Sequence, residues 1–175
     1  GETLLPKSET LKVSLETKFG PLKMNIFSKE VGFVFDNIEI KKDNLLATGA
    51  VELIKQTEQF GNYSTTVDAQ LISRDTKDLM EEFGFQGVLS SKNLSIDLDL
   101  FWPYIPSSDG VFDANGTVKV NIKDGRITAI DPIAGKVLGL LSIAELPKRL
   151  VLDFSDIFKK GLSFNRLSAE FQFKN

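Results

Sequence analysis

Alternation of apolar and polar residues is the feature that most constrains what this chain can fold into. The clearest case is the run NLSIDLDLFW, in which every second residue is apolar: Leu94, Ile96, Leu98, Leu100 and Trp102. Successive side chains of a β-strand point to opposite faces of the sheet, so a period of two is typical of a strand with one apolar face. The run therefore predicts a strand whose two faces meet different environments.

The same alternation recurs along the chain and predicts roughly ten strands, joined mostly by short polar turns and hence antiparallel. In GFVFDNIEIKK the apolar positions change phase, which predicts a bulge or bend near Asp36 and Asn37. The sequence KDG is interpreted as a turn between two short strands. The predicted strands cover residues 10–18, 21–27, 32–42, 45–55, 63–73, 93–102, 116–122, 126–130, 149–155, 161–165 and 166–174.

Two segments are predicted to be helical. SRDTKDLMEEFG begins with Ser and Asp as candidate N-caps and ends at Gly84. The second helix covers residues 132–146, with Asp131 as its N-cap and Pro132 at its first position. Apolar residues cover more than half of the circumference of this longer helix, so we expect it to be buried on most sides.

These elements predict a mainly β fold: a single long, strongly curved antiparallel sheet with two short helices. Strand twist of about 20–25° between neighbours prevents a sheet of this many strands from staying flat. We expect a half-pipe, or β-groove, with its apolar face inward and the longer helix packing in or capping the groove. No change of composition marks a boundary, so residues 1–175 are expected to form one domain, a fragment of a longer protein.

Composition excludes much of the chemistry that a domain of this size could perform. The chain contains no His and no Cys, which excludes histidine-based catalysis, thiolate nucleophiles and zinc–sulfur sites. A net charge of −3 gives no electrostatic drive toward nucleic acid. Two carboxylate pairs remain as candidates for chemistry: Asp97 with Asp99, and Asp153 with Asp156. Because they lie on the polar side of predicted strands or at a turn, we expect a solvated face, with no catalytic residue, metal or cofactor.

The second half of the chain contains three ordered blocks: FGFQGVLSSKNLSIDLDLFWP, GTVKVNIKDGRITAIDP and GKVLGLLSIAELPKRLVLDFSDIFKKGLSFNRLSAEFQF. Together with STTVDAQLISRDTKDLMEEFGF, these blocks resemble the AsmA-like family, specifically the C-terminal part of its YhdP-type, TamB-related members. The last of the three blocks is the most characteristic of the family, because its Leu-rich helix, Leu-Pro-basic-Arg-Leu run and LDFSDIF run follow in the family's order. The resemblance covers residues 60–175, and the earlier residues agree only in their strand pattern.

The resemblance implies a protein of the Gram-negative envelope. Such a protein is periplasmic and attached to the inner membrane through a segment absent from this chain. Its implied function is to carry phospholipid between the inner and outer membranes along a β-groove that spans the periplasm. The implied partners are phospholipid acyl chains, an inner-membrane anchor and outer-membrane proteins. A non-catalytic scaffold that assembles outer-membrane proteins through its sheet edges stays open as an alternative.

The groove of this fold should be lined by the apolar positions of the alternating strands and of the longer helix. Leu152 and Phe154 then face the groove, and Asp153 and Asp156 face water. The candidate lining residues are Leu94, Ile96, Leu98, Leu100, Val118, Val120, Leu138, Leu141, Leu152, Phe154, Phe171 and Phe173.

Overall fold

The computed structural model describes residues 9–56, 62–82, 87–128 and 161–174. Within these ranges the chain forms eight strands, one α-helix and one short 3₁₀ helix. The strands are β1 (Thr10–Thr17), β2 (Gly20–Lys29), β3 (Gly32–Lys42), β4 (Leu45–Lys55), β5 (Tyr63–Ser73), β6 (Leu89–Trp102), β7 (Asn115–Ile127) and β8 (Leu162–Phe173). The α-helix, α1, is Thr76–Glu82, and the 3₁₀ helix is Ser108–Asp113.

All eight strands belong to one sheet, and their order in the sheet is their order in the sequence. Strands β1 to β4 pair antiparallel through connections of two residues each. The fold class predicted from the alternation, mainly β with one long antiparallel sheet, is confirmed.

The bulge predicted from the phase change in β3 is confirmed. The pairing of β3 with β4 changes register between Phe35 and Ile38, and the pairing of β2 with β3 changes register between Lys23 and Asn25. Asn37 has a φ of 46°, the left-handed conformation that Asn tolerates better than most residues. The extra residue restores the apolar positions of the second half of β3 to the face used by its first half.

The turn predicted at KDG is wrong, because β7 runs without a break through these residues to Ile127. Asp124 has a φ of 49°, which distorts the strand locally without ending it. The glycine that suggested a turn has another reason to be small: a Cβ on Gly125 would overlap the ring of Phe164. The predicted strands 161–165 and 166–174 are likewise a single strand, β8.

The shorter predicted helix is confirmed as α1. Asp75 caps it, since its Oδ1 accepts a hydrogen bond from the backbone N–H of Lys77 at 2.9 Å. Thr76 is fully buried, and its Oγ1 accepts a hydrogen bond from the backbone N–H of Ser91 in β6 at 2.8 Å. The longer predicted helix, 132–146, and the predicted strand 149–155 lie outside the described residues. None of the helices within those residues is long and apolar enough to cross a membrane.

The chain divides into two compact units. Unit 1 consists of residues up to 72 together with 95–120 and the residues from 168 onward. Unit 2 consists of residues 73–94 and 121–167, and it contains α1. Most of the candidate lining residues that the structure describes fall in unit 1.

Candidate functional site

The pairing register places apolar side chains of β1 to β4 on a common face of unit 1. Residues directly opposite each other in an antiparallel pair share a face of the sheet. Val13 lies opposite Met24, Ile26 opposite Phe35, and Phe35 opposite Val51. All five side chains are half-buried. One apolar row therefore crosses the first four strands.

Two contacts carry this face onto β5. Gly49 lies two residues from Val51 and hence on the same face, and a Cβ on Gly49 would lie 2.8 Å from the Cβ of Ala69. The ring of Phe33, also on this face, lies 6.1 Å from the ring of Tyr63 between centroids. Residues 63, 65, 67, 69 and 71 of β5 accordingly share the face.

Strand β6 continues the face with three of the predicted lining residues. Gln70 points away from the face, and its Nε2 donates a hydrogen bond to Oδ1 of Asp97 at 2.7 Å. Because neighbours along a strand alternate, Ile96, Leu98 and Leu100 lie on the side of Ala69. These three predicted positions are half-buried, as the alternation requires.

Strand β7 adds two more of the predicted residues. A Cβ on Gly116 would lie 3.1 Å from the Cα of Leu100, which places Gly116 beside it. Val118 and Val120 lie two and four positions after Gly116, so they point to the same face as Gly116. Both are half-buried, whereas Lys119 between them is exposed. We call the surface built from these rows the apolar face, with members Val13, Met24, Ile26, Phe33, Phe35, Val51, Tyr63, Val67, Ala69, Ile96, Leu98, Leu100, Val118 and Val120.

The remaining predicted lining residues fall in three groups. Phe171 and Phe173 of β8 are half-buried and alternate with exposed Glu170 and Gln172. Leu94 belongs to unit 2 and is only 4% exposed. The other four, Leu138, Leu141, Leu152 and Phe154, lie outside the described residues.

The apolar face is accessible along most of its width. Among the described residues of unit 1, the buried hydrophobic side chains are Val34, Trp102 and Ala114. Val34 lies opposite Glu52, between Phe33 and Phe35 in the sequence, so its side chain points to the other face of the sheet. The members of the apolar face are half-buried instead, so a hydrophobic ligand could gain contact with them.

Neither carboxylate of the first candidate pair, Asp97 and Asp99, lies on the apolar face. Asp97 points to the opposite side and accepts the hydrogen bond from Gln70, and Asp99 on that side is exposed. Asp153 and Asp156 lie outside the described residues. Within the described part of the chain, no group of three or more acidic residues is placed to hold a metal ion. What the described surface offers is hydrophobic contact.

One end of the apolar face is covered by the connection between β6 and β7, residues 103–114, which we call the capping segment. Thr65 Oγ1 donates a hydrogen bond to the carbonyl oxygen of Tyr104 at 2.9 Å, and Trp102 Nε1 donates one to the carbonyl oxygen of Gly110 at 3.1 Å. The hydroxyl of Tyr104 donates to Oδ2 of Asp113 at 3.3 Å. Partial desolvation, and then the charge and hydrogen bond of Asp113, raise the pKa of Tyr104 above 10.0, so its hydroxyl keeps its proton at neutral pH.

Sequence reasoning missed the capping segment and much of the apolar face in the first half of the chain. Met24, Phe35 and Val51 carried the same alternation as β6 and could have been included on that signal. The role of Thr65 had no such signal, because its partner Tyr104 is 39 positions away in the sequence.

Comparison with known proteins supports the resemblance seen in the sequence. The family model described as YhdP protein matches residues 13–175, so the match extends well into the first sixty residues. The intermembrane phospholipid transporter YhdP of Escherichia coli (strain K12) is 29% identical over 110 residues. That alignment covers 62% of this chain and 9% of the relative, so the chain corresponds to a small part of that protein's length. No solved structure is significantly similar to the chain. On the strength of the family match, which covers most of the sequence, the chain belongs to the YhdP protein family.

Proposed function

We propose that this chain is a lipid-binding segment of a β-groove that carries phospholipid between the inner and outer membranes of a Gram-negative envelope. The observation that carries the proposal is the apolar face of unit 1, which is half-buried across β1 to β7 while Asp97 and Asp99 of β6 and Lys119 of β7 point away from it. The family supports it, since the relative in Escherichia coli is named as an intermembrane phospholipid transporter. In this proposal the chain corresponds to the C-terminal part of a longer YhdP-type protein.

The energetics of burying an acyl chain fit such a role. Each buried methylene contributes about 0.8 kcal/mol, so a tail of about sixteen carbons gains on the order of 12 kcal/mol relative to water. A bilayer offers the same gain, because lipid tails are as apolar as the side chains of the face. Moving a tail between bilayer and protein therefore changes the free energy little, and the transfer needs no catalytic residue.

The proposed lining extends the described face to the residues predicted from the sequence. The longer predicted helix, with Leu138 and Leu141, and the predicted strand with Leu152 and Phe154 would add to the wall. In this proposal the protein is periplasmic, attached to the inner membrane through a segment outside this chain, and meets partner proteins of the outer membrane. The complete proposed set is Leu94, Ile96, Leu98, Leu100, Val118, Val120, Leu138, Leu141, Leu152, Phe154, Phe171 and Phe173.

The test is direct measurement of bound lipid. The purified chain is extracted with organic solvent and the extract is analysed by mass spectrometry for phospholipids. Transfer of a fluorescent phospholipid between donor and acceptor vesicles is then followed with and without the protein. We expect phospholipid in the extract and faster transfer with the protein present.

The opposite result would favour the scaffold alternative. Its specific support is β1, which stands at one end of the strand order and exposes Leu11 and Leu15 by 48% and 43%. A chain that holds no lipid, speeds no transfer and binds strands of outer-membrane proteins through β1 would replace the lipid proposal.

A further inference from the structure

We propose that the capping segment is an acyl-chain stop, which ends the apolar path on unit 1 so that the methyl end of a bound acyl chain lies on Leu100, next to the buried Trp102. This inference rests on the proposed function, because it specifies where the lipid of that proposal ends. Its elements are two side chains of the sheet, Thr65 and Trp102, and the backbone of residues 103–114.

Two hydrogen bonds place the capping segment over the apolar face. Thr65 is an even number of positions from Tyr63 and Ala69 in β5, and Trp102 is an even number of positions from Leu98 and Leu100 in β6. Both side chains therefore point to this face. Each donates to a backbone carbonyl of the segment, at Tyr104 and Gly110. A segment bonded to side chains that rise from one face must lie above that face.

The side chains beside the capping segment are more deeply buried than the rest of the apolar face. Thr65 and Trp102 are each 4% exposed, and Ala114 at the end of the segment is also 4% exposed. The rest of the apolar face is half-buried. An acyl chain lying along the face would gain contact up to this point and meet an occupied position beyond it.

The segment is held at both ends, which makes it a stop rather than a loose loop. Trp102 and Thr65 anchor it to β6 and β5, and the bond from Tyr104 to Asp113 joins its beginning to its end. Displacing the segment would break these hydrogen bonds and leave partly buried polar groups without their partners, which opposes further entry of a chain.

Charge determines which end of a lipid faces the stop. Residues 103–114 contain Asp109 and Asp113 and neither Lys nor Arg. A phosphate headgroup would be repelled by these carboxylates and would find no cation within the segment to pair with. The methyl end of an acyl chain needs only apolar contact, which the half-buried Leu100 beside the segment provides.

Trp102 is the single Trp of the chain and therefore reports on its own position. The chain is incubated with phosphatidylcholine vesicles whose acyl chains carry bromine either near the carboxyl end or near the methyl end. The protein is separated from the vesicles, its lipid content is measured by mass spectrometry, and its fluorescence is recorded. Bromine quenches indole only at short range, so the loss of fluorescence measures which part of the chain lies nearest to Trp102.

At equal lipid content, we expect bromines near the methyl end to cause the greater loss of fluorescence. Equal losses, a greater loss from bromines near the carboxyl end, or no loss in a protein that holds lipid would overturn the stop and leave the proposed function standing. A protein that recovers no lipid removes the proposed function, and the stop with it.

Thr65→Val removes the hydrogen bond from Thr65 to the carbonyl oxygen of Tyr104, which we call the tether. The shape changes little, because Val keeps the branched side chain and lacks the hydroxyl. We expect this variant to retain lipid, to lose the difference between the two bromine positions, and to carry longer acyl chains in its extract. Thr66→Val is the matched control, since the neighbouring side chain points to the opposite face. Behaviour of Thr65→Val identical to that of Thr66→Val would show that the tether does not hold the stop.

Discussion

Leu98→Asp should lower the affinity of the chain for phospholipid about a hundredfold while the chain stays folded. Leu98 is half-buried in the middle of β6, on the apolar face between Ile96 and Leu100. A bound acyl chain would cover the new carboxylate, and placing Asp in a hydrocarbon environment costs about 3 kcal/mol on membrane-insertion scales. Since about 1.4 kcal/mol is a factor of ten in an equilibrium constant, that cost corresponds to about two orders of magnitude.

The cost to the unliganded protein is smaller, because the carboxylate at a half-buried position can stay in contact with water. The lost burial of the Leu side chain is partial and amounts to about 1–2 kcal/mol. Folding is checked by circular dichroism and urea denaturation, and lipid affinity by titration with a fluorescent phospholipid. The two measurements separate a ligand effect from a folding effect.

Phe101→Asp is the matched control for this substitution. Phe101 is in the same strand, is 42% exposed and points to the opposite side of the sheet. Both variants replace an apolar residue of β6 with Asp and change the net charge equally, and they place the new carboxylate on opposite faces of the sheet. If Leu98→Asp binds lipid as well as Phe101→Asp in two folded proteins, the apolar face is not the lipid site and the reasoning fails.

Three further substitutions test the geometry. Asp97→Asn combined with Asp99→Asn should leave lipid affinity within about twofold, because hydrophobic burial and not these carboxylates drives binding; a larger loss in fluorescent-lipid titration would return them to the site. Trp102→Ala should lower the free energy of unfolding by about 3–5 kcal/mol, measured in urea, as expected for a buried Trp; a loss below about 1 kcal/mol would contradict its burial. Gly49→Ala should cost about 1–3 kcal/mol, because its Cβ would lie 2.5 Å from the carbonyl oxygen of Asp68. Gly110→Ala is its control, since the nearest atoms to a Cβ there are 3.6 and 3.7 Å away, and equal costs in urea would show that the crowding at Gly49 is unimportant.

The strands and the members of the apolar face on β6 and β7 could be predicted because alternation is a local property. Leu98 and Val118 each need only their neighbours in sequence to reveal which residues share a face. The bulge at Asn37 could be predicted for the same reason, since a phase change in the alternation requires an extra residue in the strand. Family resemblance added the class of ligand, which no spacing of residues revealed.

The turn predicted at KDG was wrong because glycine serves two purposes in proteins. Gly125 follows Asp124 in a sequence typical of a turn, yet its lack of a side chain makes room for the ring of Phe164 in β8. Nothing local distinguishes a glycine needed for a turn from one needed for close packing. The hydrogen bond between Thr65 and Tyr104 could not be predicted for a related reason, because it joins β5 to the capping segment through a contact that only the folded sheet creates.

The order of the strands has a consequence for how such a sheet folds and changes in length. Each strand neighbours the one before it in sequence, and β1 to β4 are joined by connections of only two residues. Closing short loops costs little conformational entropy, so these hairpins can form early and extend the sheet one pair at a time. A structure held by contacts between successive neighbours also tolerates a change in the number of its pairs, as repeat proteins do. Gain or loss of a whole hairpin would lengthen or shorten the sheet and leave the pairing of every other strand as it was.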